Sequence, residues 1–311
     1  MYDGSIVDVE KIEVGHAWDE NGGTGCTVIL CRDGAVAGVD VRGSAPGTRE
    51  TDLLNPINLV QEVHGIILCG GSAFGLAAAD GVMEYLEEQD IGFDTGAVKV
   101  PIVPAAVLFD LSYGDPNVRP DRRMGYRACE VASNKKVEQG SVGAGAGATV
   151  GKLLGMENAT KGGIGTASIK LAGGIVVGAI VAVNAFGDVV HVDTRQIIGG
   201  ARHPDTGEFI DTTKNLISAN ESGTFACQNT TIGVVATNAK LTKGEANKLA
   251  SMTHDGYALA IRPVHTMFDG DTIFALSTGD VTGDINVIGT ASVYAMAYAI
   301  NNAIWAAMPT Q

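Results

Sequence analysis

Apolar positions along this chain fall into short blocks set off by glycine. Residues 64–69 (HGIILC) form an apolar run of strand length, closed by Gly70 and Gly71, which predicts a buried strand. From Phe74 to Glu88 the spacing changes. Leu76, Ala79, Val82, Met83 and Leu86 recur at the period of a helix with one buried face. Residues 122–133 carry a second helical pattern. Residues 167–171, 175–184 and 188–192 are rich in β-formers and punctuated by glycines, which predicts adjacent strands of one sheet. Between the last two, Asn184-Ala-Phe-Gly187-Asp188 has the character of a hairpin connection. Residues 231–237 (TIGVVAT) predict another buried strand, preceded by a turn-like stretch over 220–228. Thr242-Lys-Gly-Glu245 is a capping box, and the helix it opens runs to about Ala260. A strand follows over 272–277. Residues 286–308 form a long helical stretch, apolar on most faces, which calls for burial between layers or between subunits.

Helices and strands mix without strict alternation, and most strands are apolar on both faces. That pattern predicts sheets covered on both sides, a layered α/β sandwich. No Pro- or Ser-rich tract, charge block or repeat marks a boundary, so residues 1–311 are expected to form a single domain. With 45% hydrophobic and 18% charged residues, the chain belongs with globular proteins and not with disordered ones. The formal charge of −14 repels phosphate backbones and anionic membrane surfaces, and aromatics at 5% offer little stacking surface. Nucleic acid and membrane are therefore not expected partners. The five cysteines, Cys26, Cys31, Cys69, Cys129 and Cys227, are odd in number and lack CxxC spacing, against a disulfide framework or zinc site. Cys69 and Cys227 stand in apolar or small-residue surroundings that suit buried thiols. Met1-Tyr-Asp-Gly-Ser5 has no basic or apolar leader character, and the longest apolar run, 173–186, is too short to span a bilayer. A cytoplasmic setting is the expectation.

Several motifs fail on inspection. Residues 147–152 (GATVGK) resemble a phosphate loop, but position 146 is Ala and Leu153 follows the lysine where Ser or Thr is required. Residues 70–75 (GGSAFG) follow a strand and open a helix as a dinucleotide fingerprint does. Ser72 stands where the second glycine belongs, however, and no ribose-binding acid follows at the right distance. There is no HExxH or GxSxG, and the six histidines lack ligand spacing. No metal or cofactor is expected.

Two segments retain chemical interest. At Gln228-Asn229-Thr230-Thr231-Ile232, polar residues run straight into a buried strand. A hydroxyl at a strand mouth is held rigidly. If the peptide bond before it were cut, its α-amine, with a pKa of about 7.7–8.0, would lie beside the hydroxyl and take its proton. An ordinary loop-to-strand entry has the same sequence. At His265-Thr-Met-Phe-Asp269-Gly270-Asp271, two carboxylates flank a glycine. They suit an ammonium, a calcium ion or a plain turn, although calcium would want more oxygen ligands than this segment supplies.

Taken together, several landmarks resemble the family of L-aminopeptidase D-Ala-esterase/amidases, which includes β-aminopeptidases and the endo-type 6-aminohexanoate oligomer hydrolase. They are residues 24–28, 39–43 and 70–75, the glycine-rich run ending at Lys152, Val183-Asn184, Asn229-Thr230-Thr231, and His265-Thr266 with Asp269-Gly270-Asp271. The resemblance implies a layered αββα sandwich similar to N-terminal nucleophile hydrolases, with its own connectivity, and a homo-oligomer, often a tetramer. It implies self-cleavage into residues 1–229 and 230–311, with Asn229 as the new C-terminus and Thr230 as the nucleophile. By the same match Lys152 lies near the nucleophile, Asn184 supplies an oxyanion donor, and Asp269 and Asp271 orient the nucleophile and its amine. The substrates implied are short peptides, amino-acid amides or linear ω-amino acid oligomers. Two departures matter. The β-aminopeptidase branch carries Ser and Glu where this chain has Asp269 and Asp271, a form closer to the oligomer hydrolases. Those hydrolases have a tyrosine where this chain has Phe109. Two other readings remain at this point: an uncut, non-catalytic homologue that acts by binding, and a nucleotide-dependent enzyme using the glycine-rich run before Lys152.

Overall fold

The structure is a computed structural model that describes residues 1–218 and 229–308. Its frame is a nine-stranded sheet. The strands are β1 (Glu13–Asp19), β2 (Thr24–Val41), β3 (Thr48–Arg49), β4 (Glu62–Cys69), β5 (Ala105–Val107), β6 (Gly163–Lys170), β7 (Val176–Asn184), β8 (Thr230–Ala239) and β9 (Thr272–Val281). They lie in the order β6-β7-β8-β9-β2-β4-β5-β3, with β1 also paired to β2. The helices are α1 (Ala78–Glu87), α2 (Arg122–Glu130), α3 (Thr212–Ser218), α4 (Lys243–Ala260) and α5 (Ile285–Ala307).

The sheet folds over on itself along β2, whose 18 residues serve both halves. Residues 26–30 pair with β1 and β4, whereas residues 36–41 pair with β9, and the register shifts between Leu30 and Ala35. Side chains alternate across each strand, so each half has an inner and an outer face. Ile180, Ala182, Ile232, Val234, Phe274 and Leu276 meet Ile29, Ile66, Leu68 and Ala106 in the cluster between the halves. Val181, Val235 and Ala275 face outward beneath α4 and α5. Val28, Leu30, Ile67 and Val107 face outward beneath α1 and α2. Three apolar interfaces in a row, helix to sheet, sheet to sheet and sheet to helix, give the αββα layering.

Local chemistry explains the element boundaries. Thr242 Oγ1 accepts from Glu245 N, and the Glu245 carboxylate takes Thr242 N in return, which starts α4 at the expected box. The helical pattern from Phe74 resolves into a tight 3-10 stretch, Ser72–Ala77, running into α1. Two expectations are corrected. Residues 188–190 do not join β7; Asp188–Val190 pairs with Ile197–Gly199 and Ile261–Arg262 in a small separate sheet. Residues 184–188 are accordingly no hairpin: after Asn184 the chain leaves the main sheet, and a Cβ on Gly187 would come within 2.2 Å of Pro263 O. Cys26, Cys31, Cys69 and Cys129 are free, buried thiols, while Cys227 and the turn-like stretch 220–228 lie outside the described residues. Among the described residues no helix is long and apolar enough to cross a membrane.

The long α5 reaches the sheet because β6 offers it bare backbone. A Cβ on Gly165 would stand 2.1 Å from Ala299 O and 2.4 Å from Ala303 N. Gly165→Ala must push the helix off the strand, a form of overpacking that costs about 1–3 kcal/mol. Urea unfolding of the variant should show a lowered midpoint with an unchanged slope.

Candidate active site

The entry to β8 lies at the centre of the sheet, between two strand ends. On one side β8 runs antiparallel to β7, and the register places Asn184 directly opposite Thr230. Side chains opposed in this way share a face of the sheet and touch. On the other side β8 runs parallel to β9, with Ile232 beside Thr272. The segment leading into β9 continues that match: Asn229 bridges to Asp269. Hence Asp269, Gly270 and Asp271 run alongside Asn229, Thr230 and Thr231. A third rank stands behind them, where Arg42 N and Gly43 N donate to Asp271 O and Ala45 N donates to Asp269 O. A Cβ on Gly43 would fall 2.2 Å from Asp271 N, so only glycine permits that approach.

All five candidate side chains converge here, and all are buried: Thr230, Asn184, Lys152, Asp269 and Asp271. The Thr230 hydroxyl contacts the carbonyl oxygen of Asn229. That same oxygen accepts Gly270 N at 3.0 Å, and Asn229 N donates to Phe268 O. The bond between Asn229 and Thr230 is therefore held by backbone on one flank and met by a hydroxyl on the other.

Asn184 is fixed through both ends of its amide. Its Oδ1 accepts Thr149 N at 3.0 Å and Lys152 Nζ at 2.8 Å. With the oxygen so assigned, Nδ2 donates to Phe109 O at 2.9 Å. Its second N–H is left for another acceptor. Lys152 Nζ also donates to the Asn184 carbonyl at 3.3 Å. The lysine is thus a buried cation at the end of the glycine-rich run and not a solvated surface residue. Position 109, where a tyrosine was expected from the family resemblance, acts here through its backbone carbonyl.

The two aspartates are held differently. Asp271 Oδ1 accepts Thr231 N at 2.7 Å, while Oδ2 accepts His265 Nδ1 at 2.8 Å and His265 N at 3.2 Å. Asp269 Oδ2 accepts both the backbone N and the hydroxyl of Thr266, at 2.8 and 2.6 Å. Burial, and then the charge of Asp271, raise the Asp269 pKa from 3.8 to about 6; the Thr266 hydrogen bonds and the Lys152 charge oppose the shift. The Asp-Gly-Asp turn is filled by these contacts, and among the described residues no group of three or more metal-ligating side chains is gathered anywhere.

The site also uses groups that the sequence pattern did not single out. Gly270 N, Thr149 N and the Phe109 carbonyl act through backbone, which no residue letter records. Thr266 and His265 were visible only as neighbours of Asp269 and Asp271. A Thr three residues before Asp269 is the one local cue, since a hydroxyl there suits a turn that closes on the carboxylate.

Comparison with known proteins identifies the family and the fold. Residues 4–311 match the family model for peptidase family S58. The chain is 43% identical to an uncharacterized aminopeptidase of Mycobacterium leprae, over 97% of this chain and 90% of that protein. It is 32% identical to a 6-aminohexanoate-oligomer endohydrolase of Paenarthrobacter ureafaciens, over 88% of this chain and 75% of that one. Among solved structures, a Burkholderia sp. β-aminopeptidase superposes with a TM-score of 0.71 at 22% identity, covering 97% of this chain and 86% of the other. The L-aminopeptidase D-Ala-esterase/amidase of Ochrobactrum anthropi, described as a new variant among the Ntn hydrolase fold, gives 0.73 at 17% identity with the same coverages. The likeness in fold and the match along nearly the whole sequence agree: this chain belongs to peptidase family S58, a family of aminopeptidases and amidases.

Proposed function

We propose that this protein is an amide hydrolase that matures by cutting its own Asn229–Thr230 bond, after which Thr230 serves as an N-terminal nucleophile. The observation that carries this reading is the contact between the Thr230 hydroxyl and the Asn229 carbonyl, on a carbonyl already bound by Gly270 N–H. In self-cleavage, Thr230 Oγ adds to the Asn229 carbonyl carbon and its proton passes to the Thr230 nitrogen as the C–N bond breaks. The ester so formed takes up water. Asn229 leaves as a carboxylate, and Thr230 regains its hydroxyl with a free α-amine. Gly270 N–H is the donor for the oxyanion of this step, because it is the group already on that oxygen.

In turnover the free amine accepts the hydroxyl proton while Oγ attacks a substrate amide, so one residue supplies nucleophile and base. The second N–H of Asn184 Nδ2, on the residue paired with Thr230, stabilises the substrate oxyanion. Lys152 holds that amide in place and lowers the amine pKa by its charge. Asp269 and Asp271 oppose that lowering, and Asp271 fixes the backbone just after Thr230 through Thr231 N. Short peptides and amino-acid amides are the proposed substrates, in line with the aminopeptidase relatives. Linear 6-aminohexanoate oligomers are a second reading, favoured by the Asp269-Gly-Asp271 pattern and the 32% identical oligomer endohydrolases. We infer a cytoplasmic homo-oligomer, in keeping with the exposed Val287 and Tyr294 on the outer side of α5.

Three measurements test this. Purified protein should run under denaturing conditions as residues 1–229 and 230–311, and Thr230→Ala should remain one full-length, inactive chain. Two pieces from that variant, or full activity from an unbroken chain, would refute the assignment. Asn184→Ala should mature and keep the fold, yet hydrolyse an amino-acid p-nitroanilide about 10²–10³-fold more slowly, the usual loss for one oxyanion donor. Normal turnover would dismiss that role. The third concerns Asp269. Its folded-state carboxyl keeps a proton up to about pH 6, whereas an unfolded aspartate ionises near 3.8. Between those values the unfolded chain binds fewer protons, so raising the pH favours unfolding. The uncut Thr230→Ala protein should lose stability from pH 4 to pH 6, and adding Asp269→Asn should flatten the decline. Equal pH slopes for the two proteins would show that Asp269 titrates normally.

A further inference from the structure

The carboxylate that steadies Thr231 has a second partner, and that partner is held in an unusual conformation. His265 sits at φ +57°, in the left-handed region, a position few non-glycine residues occupy and which histidine and asparagine tolerate better than most. The twist lets one residue give two donors, backbone N and ring Nδ1, to the same oxygen of Asp271. The ring is mostly buried, with 20% of its side chain accessible against 1% for Asp271.

The proton placement follows from the partners. A carboxylate only accepts, so the hydrogen between the two groups sits on His265 Nδ1. Nε2 is buried without a partner among the described residues, as is Nδ1 of His254. The His254 ring stands edge-on to that of His265, with centroids 4.9 Å apart, and its Nε2 bonds the Asp40 carbonyl at 3.0 Å. Burial pushes the His254 pKa down to about 4, so a neutral, rigid ring backs His265 on that side. The buried Tyr257 ring lies close by, its centroid 6.1 Å from that of His265.

We propose that His265 is a positioning residue for the Thr230 chemistry. Its Nδ1–H aims the Asp271 carboxylate so that Oδ1 grips Thr231 N–H, one residue beyond the nucleophile. The inference rests on Thr230 being that nucleophile. Without the imidazole donor, the carboxylate gains rotational freedom, and the start of β8 loses its fixed pitch against β7. The bond concerned is a charge-assisted one. A loss of that size in alignment appears in kcat and leaves KM little changed, because the group touches no part of a substrate.

The test compares His265→Asn with His265→Gln in the full-length chain. Asparagine places an amide N–H where Nδ1 stood and accepts the left-handed backbone; glutamine carries the same amide to the place of Nε2. Self-cleavage is followed by mass spectrometry, and kcat and KM are measured on an amino-acid p-nitroanilide alongside thermal melting. His265→Asn should keep kcat near wild type, whereas His265→Gln should cut kcat about tenfold or more with KM nearly unchanged. Equal kcat values for the two variants, whether both high or both low, would overturn the positioning role. So would a glutamine defect confined to KM. Thr230→Ala assayed in parallel separates the two claims. If it is active, the nucleophile assignment itself fails; if it is inactive while the His265 pair are equal, only the role of His265 falls.

Discussion

Everything at this site depends on the pairing of two strand ends across one peptide bond. Residues 184 and 230 are far apart in sequence yet directly opposed in the sheet. The 45-residue excursion between them, over 185–229, leaves the frame at Asn184 and returns at the Asn229–Thr230 bond. Sheet register is quantised: a slip of one residue turns every side chain to the other face. Here a slip would put Thr230 away from Asn184 and would also break the apolar match of Ile232 and Val234 with the inner core. The hydrophobic pattern that stabilises the sandwich is thus the same constraint that sets Thr230 opposite Asn184.

Electrostatics adds a second constraint. The site buries Lys152, Asp269 and Asp271 together, one cation against two carboxyls. Burying charge is expensive unless each is paired and hydrogen-bonded. Asp271 meets that demand with three donors. Asp269 meets it less well, and its pKa moves upward in consequence. On the proposed cleavage Thr230 gains an α-amine beside this pair and Asn229 gains a carboxylate, so the cut adds one group of each sign and leaves Asp269 and Asp271 facing two nitrogen groups, Lys152 and the new amine.

How much of this could be read in the sequence differs by layer. Strands and helices with strong periodicity were legible, since 231–237, 242–260 and 286–308 all form the expected elements with ends shifted by a few residues. The assignment of 188–192 to the main sheet failed because apolar β-rich composition does not say which sheet a strand joins. That choice was made by Gly187, whose missing side chain lets the chain turn against Pro263. Thr230 and the Asp269-Gly270-Asp271 turn drew notice by their own chemistry, but their roles, and Lys152 and Asn184 altogether, were suggested only by likeness to a family; nothing in the spacing of Lys152, Asn184 and Thr230 announces that they meet. The backbone groups of Gly270, Thr149 and Phe109 were not legible at all, because every residue carries an N–H and a C=O.

That last point bears on the departure at position 109. A tyrosine there would offer a hydroxyl, but the contact this site makes with residue 109 is through its carbonyl, to Asn184 Nδ2. The neighbouring Asp110 explains why that carbonyl stays in place whatever the ring. Asp110 is buried and accepts Thr24 Oγ1 at 2.7 Å and Gly71 N at 2.6 Å, tying the segment to the start of β2 and the end of β4. Lys161, whose ammonium takes the carbonyls of Gly145, Ala146 and Ala148, pins the glycine-rich run from the other side. Buried Asp110 and half-buried Lys161 therefore anchor the two segments that hold the Asn184 amide. The phenol of the oligomer hydrolases is lost here, while the amide proposed to receive the oxyanion keeps its orientation.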